Sequence, residues 1–448
     1  MRALLRFTLP SMGIWMSGPI LSLMDTSAVG LSGSGQAALI DLAALTPATA
    51  LSNNTGHLLG FLAVSTTMMV ARARARGDDA AAQAATADAV TVAASLGIVV
   101  GLLFVLFATP ALAAFSGPAS AALVPPAALY TRIRGFGFPF ALVMASGQAA
   151  CLACRDTGPP VRAIALAAAV NLVGDAVLVL GLGQGIAGAA WATVASQAVA
   201  AAVLMLRLLR PGPGRPALLT RLPLRLPSGD TLLRFGRLGL PIASSIFIKV
   251  AYFTAVTQAA TALSPTAAAS HGVMIALFCV LGVLGDAVSQ SAQSFMPAML
   301  GTPRAAWALA ARLMRLGAAV GCFNCAAIAV AALLCHGAFT SNPEVVTGMH
   351  SVLGVACASL LLHNCSMATE GMCLAGGELT FLLRANALGA AVAMSAAAAA
   401  VAAGWGLAGV WLAILVFQVM RLGQNGARLL SARSPLRRTT PMPSVDGA

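Results

Sequence analysis

A succession of apolar stretches, each about 20 residues or more and separated by short polar or Gly/Pro-rich connections, leaves this chain almost no freedom of fold class. The stretches are Phe7–Gly30, Leu42–Val70, Ala89–Phe115, Ala128–Cys151, Val161–Leu182 and Ile186–Leu208, then Phe235–Leu263, Ala267–Phe295, Trp307–Ala338, Val345–Leu374, Phe381–Ala403 and Leu407–Leu429. Of the 448 residues, 59% are hydrophobic and 9% charged, and the mean hydropathy is +0.89. No water-soluble fold of this size buries that much apolar surface, because a large share of any folded surface stays exposed. Lipid is the solvent that fits. In lipid every backbone polar group must be satisfied within the chain, which selects helices. The expectation is an all-α integral membrane protein of about twelve transmembrane helices.

The net charge of +13 is carried unevenly. Arginines gather beside alternate connections: Arg2 and Arg6; Arg72, Arg74 and Arg76; Arg155 and Arg162; Arg207 to Arg237; Arg304, Arg312 and Arg315; Arg384; and Arg421 to Arg438. This is the positive-inside pattern, and it puts both termini on the cytoplasmic or equivalent organellar side of a plasma or organellar membrane. It also argues against a nucleic-acid partner, which would need one basic face. Arg132 and Arg134 break the pattern and are candidates for being drawn into the protein. The nine cysteines include two CxxC spacings, Cys151/Cys154 and Cys322/Cys325, without a second ligand pair at zinc-like distance. They read as small residues at helix contacts. No metal beyond a possible sodium ion and no cofactor is expected. There is no Walker motif, no nucleophile–base cluster and no HExxH, so neither ATP-driven transport nor an intramembrane enzyme is the leading reading.

The two sets of stretches resemble each other. Cys151-Leu-Ala-Cys-Arg-Asp-Thr recurs as Cys373-Leu-Ala-Gly-Gly-Glu-Leu, and Gly185-Ile-Ala-Gly-Ala-Ala-Trp191 as Gly406-Leu-Ala-Gly-Val-Trp411. Leu9-Pro10 near the start of the first set matches Leu240-Pro241 near the start of the second. An even number of spans per repeat gives parallel repeats, a layout of secondary transporters. The expected division is an amino-terminal six-helix lobe over 1–209, a Pro/Gly/Arg-rich cytoplasmic linker over 210–232, a carboxy-terminal six-helix lobe over 233–430 and a disordered tail over 431–448.

Asp25, Asp175, Asp286 and Glu370 stand inside apolar stretches. A carboxylate at mid-bilayer costs about 2.5–3.5 kcal/mol on insertion scales, so such residues face a protein interior and handle ions, protons or substrate. Asn171 and Asp175 are four apart and share one helix face, as do Asp286 and Gln290. Lys249, the only lysine, sits deep in an apolar stretch and requires a partner. Asp286 or Glu370 could pair with it, or its charge could be kept for an anionic solute.

In this order and spacing the motifs resemble those of MATE (multidrug and toxic compound extrusion) transporters over nearly the whole chain. The resemblance is to the DNA-damage-inducible-protein-F-like branch, with its plant and algal organellar members. It is carried by Leu9-Pro10 through Asp25-Thr-Ser-Ala-Val-Gly30, Thr66-Thr-Met-Met-Val-Ala-Arg72, Arg155-Asp156-Thr157 and Asn171-Leu-Val-Gly-Asp175. Gly188-Ala-Ala-Trp-Ala-Thr193, Asp286-Ala-Val-Ser-Gln290 and Glu370-Gly371 extend it. It implies two pseudo-symmetric six-helix bundles around a central cavity. It implies export of small organic solutes, cations or carboxylate metabolites, by a monomer that exchanges them for protons or sodium ions. By motif it places a cation-coupling site at Asp25, Asn171, Asp175 and Thr193, with Pro10 kinking the first helix. Lys249, Asp286, Gln290 and Glu370 become candidates for substrate contact or proton relay. The seventh stretch carries Lys249 and no carboxylate, unlike family branches with a sodium site there. If Asp25 and Asp175 approach each other, two carboxylates in a low-dielectric site do not both ionise readily, and the pair holds a proton or binds a cation. A lipid or lipid-linked flippase of the same superfamily is the alternative; it would need cationic groups lining a cavity open to lipid.

Overall fold

The computed structural model describes residues 1–31, 36–116, 122–211, 217–221, 226–340 and 342–439. Among these the regular elements are helical: α1 (Arg2–Leu31), α2 (Gln36–Leu59), α3 (Phe61–Ala75), α4 (Asp79–Ser116), α5 (Val124–Ala153), α6 (Gly158–Gly174), α7 (Gly185–Leu209), α8 (Gly229–Leu263), α9 (Pro265–Phe295), α10 (Pro303–Leu333), α11 (Pro343–Gly376), α12 (Leu379–Ala402) and α13 (Gly406–Leu430). Among the described residues, eleven helical segments are long and apolar enough to cross a bilayer, with α2 and α3 counted as one. The thirty-residue α1 carries the first apolar stretch and contains Pro10 and Pro19. The expected second span is interrupted at Gly60, whose N–H turns back to the His57 carbonyl (3.0 Å).

Helix ends follow local chemistry. The Ser264 side chain accepts from the Ala267 N–H (3.0 Å) at the start of α9, and Asn342 accepts from the Glu344 N–H (2.9 Å) at the start of α11. Both helices open on proline, whose missing N–H is no loss there. α11 stops at Gly377, where φ is 81°, a left-handed conformation that glycine adopts without strain.

The chain forms two compact units, one of residues 17–240 and the other of residues 1–16 with 241–448. The first has a core that includes Val29, Leu45, Leu112, Tyr130, Ile133 and Val194. The second is built around Tyr252, Met274, Phe278, Val352, Trp411 and Phe417. Large apolar side chains such as Leu102, Leu106 and Phe107 on α4 and Phe323 on α10 point outward, as a lipid-facing surface requires.

Two segments outside the long helices are more ordered than their composition suggests. In the expected linker, the N–H groups of Leu218 and Leu219 both reach the Leu208 carbonyl (2.9 Å each), and Leu219 is buried. The tail after residue 430, expected to be disordered, is corrected by the structure over its described part. Pro435–Arg437 forms a 3₁₀ turn with Leu436 buried, and Arg438 pairs with Glu378 (3.7 Å). An apolar side chain and a charge partner anchor a stretch that looks merely polar in sequence. Residues 440–448 of that tail lie outside the described residues.

Close helix contacts depend on small residues. A Cβ on Gly371 of α11 would lie 2.6 Å from the Ser289 carbonyl oxygen and 2.8 Å from its Cα on α9. Backbone cannot yield as a side chain does. Gly371→Ala is expected to destabilise the protein by about 1–3 kcal/mol through overpacking. Gly354→Ala, on the same helix with nothing within 4 Å, should be neutral or slightly stabilising. Thermal unfolding of the two variants in one detergent tests this; equal melting temperatures would refute the contact.

Candidate functional site

Among the described residues, a buried polar cluster with charged groups lies in each unit. In the unit of residues 17–240, α1 supplies Asp25, α6 supplies Asn171 and α7 supplies Thr193. Asp175 opens a π-helical turn, Asp175–Gly181, that continues α6. Within this turn and its end the bonding shifts, the Leu182 N–H reaching back to the Val177 carbonyl (2.8 Å). Such π turns recur at functional positions because they re-aim side chains without ending the helix. Asp25, Asn171 and Asp175 are 6%, 0% and 2% exposed.

The Thr193 hydroxyl lies 2.9 Å from Asp25 Oδ2 and 2.9 Å from the Ala189 carbonyl, so one proton serves two acceptors. Asn171 and Asp175 face the same carboxylate. Yet Asp25 Oδ1, both Asp175 oxygens and both Asn171 amide atoms are buried without a hydrogen-bond partner. A buried polar atom left unsatisfied costs about 1–3 kcal/mol. Several at one point, nearly all of them oxygen, form a place that a proton or a small hard cation would satisfy. Arg134 of α5 lies near enough for its charge to act on Asp25, and its Nε and Nη1 are likewise buried without hydrogen bonds.

The second cluster lies in the other unit. Glu370 on α11 accepts from Lys249 Nζ on α8 (2.6 Å) and from Arg421 Nη2 on α13 (2.5 Å). Arg421 also donates to Gln418 Oε1 (3.0 Å), and its guanidinium lies over the Phe417 ring at 5.6 Å. Its side chain is 3% exposed, whereas that of Lys249 is 23% exposed. Asp286 on α9 lies within electrostatic reach of Lys249, Glu370 and Arg421. Gln290, one turn along, donates to Ser294 Oγ (3.4 Å).

Comparison with known proteins places this architecture. The MatE family model matches residues 10–177. Protein DETOXIFICATION 47, chloroplastic, of Arabidopsis thaliana is 34% identical over 99% of this chain and 80% of its own length. The chain belongs to the MATE family. Protein DETOXIFICATION 44, chloroplastic, of the same plant is 25% identical over 96% of the chain and 82% of its own length. Among solved structures, the eukaryotic MATE transporter AtDTX14 superposes with a TM-score of 0.79 at 18% identity, covering 97% of each chain. An outward-facing multidrug resistance MATE transporter gives 0.79 at 20% identity, covering 94% of this chain and 93% of its own. The protein is thus a multi-pass MATE membrane transporter and not an enzyme, and it has the fold of the solved MATE structures.

Within this MATE chain the structure brings Asp25, Asn171, Asp175 and Thr193 together, and it joins Lys249 to Glu370 with Asp286 near them. Pro10 lies well before Asp25 in α1, where it leaves the Arg6 carbonyl without its usual donor. Two participants escaped the sequence reading. Arg421 was grouped with the flanking arginines of the positive-inside pattern, and the structure corrects this by burying it against Glu370. Arg134, an exception to that pattern and a candidate for being drawn into the protein, lies, with Nε and Nη1 buried, near Asp25, a partner its position in the sequence does not name. The usable signal was position: both fall within apolar stretches, where an unpaired guanidinium is costly.

Proposed function

We propose that this MATE transporter is a secondary antiporter. In this reading a proton or sodium ion bound among Asp25, Asn171, Asp175 and Thr193 drives export of a small organic solute by alternating access. The observation that carries the reading is the set of buried oxygens around Asp25 and Asp175 without hydrogen-bond partners. A cation that neutralises the pair changes what the surrounding helices must solvate, which links its binding to the conformation of α1. The chloroplast relatives support a plastid membrane as the location. The Lys249–Glu370–Arg421 cluster, two cations on one carboxylate with Asp286 nearby, serves in this reading as an ion-paired support. The flippase alternative is less favoured, because Lys249, a cation it would use, already pairs with Glu370.

The test is purified protein in liposomes, with a pH gradient and a sodium gradient imposed separately, against a panel of labelled organic cations and carboxylates. Flux under one gradient and its collapse when that gradient is dissipated is the expected result. Flux indifferent to both gradients would remove the antiport reading. Thr193→Val deletes a hydroxyl that donates to the ionised Asp25 carboxylate, so the cation-free site loses a hydrogen bond and should take up a proton more tightly, by roughly tenfold, the worth of one hydrogen bond to a charged group. The dependence of initial flux on cation concentration measures it.

A further inference from the structure

α10 and α11 run antiparallel across a short connection, and their contacts keep one register. A Cβ on Gly317 would lie 2.9 Å from the Asn364 carbonyl oxygen, and one on Gly321 would lie 2.9 Å from Leu361 Cα. Further along, His350 Nε2 lies 3.1 Å from the Ala332 carbonyl. Between these contacts, on the same face, Cys325 meets Cys357. The Cys325 thiol donates to the Cys357 carbonyl (2.9 Å), and the Cys357 thiol donates back to the Cys325 carbonyl (3.6 Å). Each sulfur therefore lies over the other residue's backbone. The glycines one and two turns away let the helices approach closely, and the reciprocal thiol–carbonyl contacts set Cys325 and Cys357 directly opposite each other, the placement a disulfide between two helices requires.

The sequence gives no hint of this pairing. Cys325 belongs to a CxxC spacing with Cys322, but its partner is 32 positions away on the next helix. Cys322 is exposed, whereas Cys325 and Cys357 are both half-buried, neither sealed in the core nor far apart. Two thiols fixed face to face react as an intramolecular pair, which gives them a large advantage over separate cysteines.

We propose that Cys325 and Cys357 are a site of reversible thiol oxidation, where a membrane-soluble organic hydroperoxide converts the pair into a disulfide that ties α10 to α11. One thiol attacks the peroxide; the O–O bond breaks, an S–O bond forms, and the products are a sulfenic acid and an alcohol. The second sulfur then attacks the first, an S–S bond forms, and the S–OH oxygen leaves as water with the remaining thiol proton. Two thiols lose two electrons and the hydroperoxide gains them. A thiol reductant reverses the change. Because α11 also carries Glu370, the tie fixes the helix that holds Lys249 and Arg421. The inference rests on helix packing and is independent of cation coupling.

The experiment exposes the full-length protein in liposomes to cumene hydroperoxide, then unfolds it, counts free thiols with a maleimide and maps the peptides. The expected result is a thiol count lower by two, a joined pair of peptides carrying Cys325 and Cys357, and full recovery with dithiothreitol. Cys322→Ser should behave like wild type in losing two thiols. Cys325→Ser and Cys357→Ser, each nearly isosteric and checked for wild-type thermal unfolding, should form no joined peptide. An unchanged wild-type thiol count overturns the proposal. So does joining of other cysteines in preference, for instance Cys151 to Cys154. Cys151 lies in the last turn of α5 and Cys154 just past its end, in the other unit of the chain.

Discussion

Asp25→Asn and Asp175→Asn are each expected to reduce gradient-driven flux to the background of protein-free liposomes while the protein still folds. An amide has the shape of the carboxylate it replaces but no charge, so it neither takes up a proton in this range nor neutralises a cation. Folding should survive for the same reason. A neutral amide in a membrane-buried site costs less than an unneutralised carboxylate, and insertion scales charge an aspartate about 2.5–3.5 kcal/mol at the helix centre. The Thr193 hydroxyl, 2.9 Å from Asp25 Oδ2, retains an oxygen to which it can donate. Asp175 faces the Asp25 carboxylate, and an amide in its place can still donate to it. The measurement is initial flux in reconstituted vesicles beside monodispersity and thermal unfolding of each variant. Wild-type flux in both variants would remove the site. Loss of flux together with loss of folding would make the cluster structural, an interhelical polar contact and nothing more.

The parts of this protein that were legible in sequence are those written in local pattern. Run length announced the spans, because a bilayer has a fixed thickness and helices a fixed rise. Asn171 and Asp175 announced a shared face by their spacing of four. Their convergence with Asp25 and Thr193 came only through resemblance to a family, since nothing local states which helices pack together. The same limit explains what was missed. Lys249 plainly needed a counter-ion, yet Asp286 and Glu370 were equivalent by composition, and only packing put Glu370 at 2.6 Å. Arg421 looked like one more cytoplasmic arginine because Arg428 and others follow it; its burial depends on α13 lying against α11. The anchoring of Leu436 and the meeting of Cys325 with Cys357 are likewise tertiary facts that no window of a few residues contains.

Glu370→Gln is expected to be the most destabilising single substitution in the second cluster. In this cluster the carboxylate is shared by two cations, Lys249 at 2.6 Å and Arg421 at 2.5 Å. Removing one partner of a buried ion pair typically costs about 3–5 kcal/mol, because the charge left behind is unneutralised. Here two are left. Lys249→Met should be much milder, since Glu370 keeps Arg421, and Arg421 keeps Gln418 and the Phe417 ring. In the Glu370→Gln background, Lys249→Met should then restore part of the loss by removing one stranded cation. The two changes would be non-additive, with a coupling of about 0.5–3 kcal/mol, as expected for groups in direct contact. Thermal unfolding of the four proteins in one detergent measures the cycle. A double variant less stable than Glu370→Gln alone would show that the lysine is not balanced by the glutamate. The same variants divide structure from transport. If Lys249→Met keeps the wild-type melting temperature and yet loses flux of anionic solutes alone, the ammonium acts on cargo. If it keeps flux of every solute, its charge is spent within the protein, on Glu370.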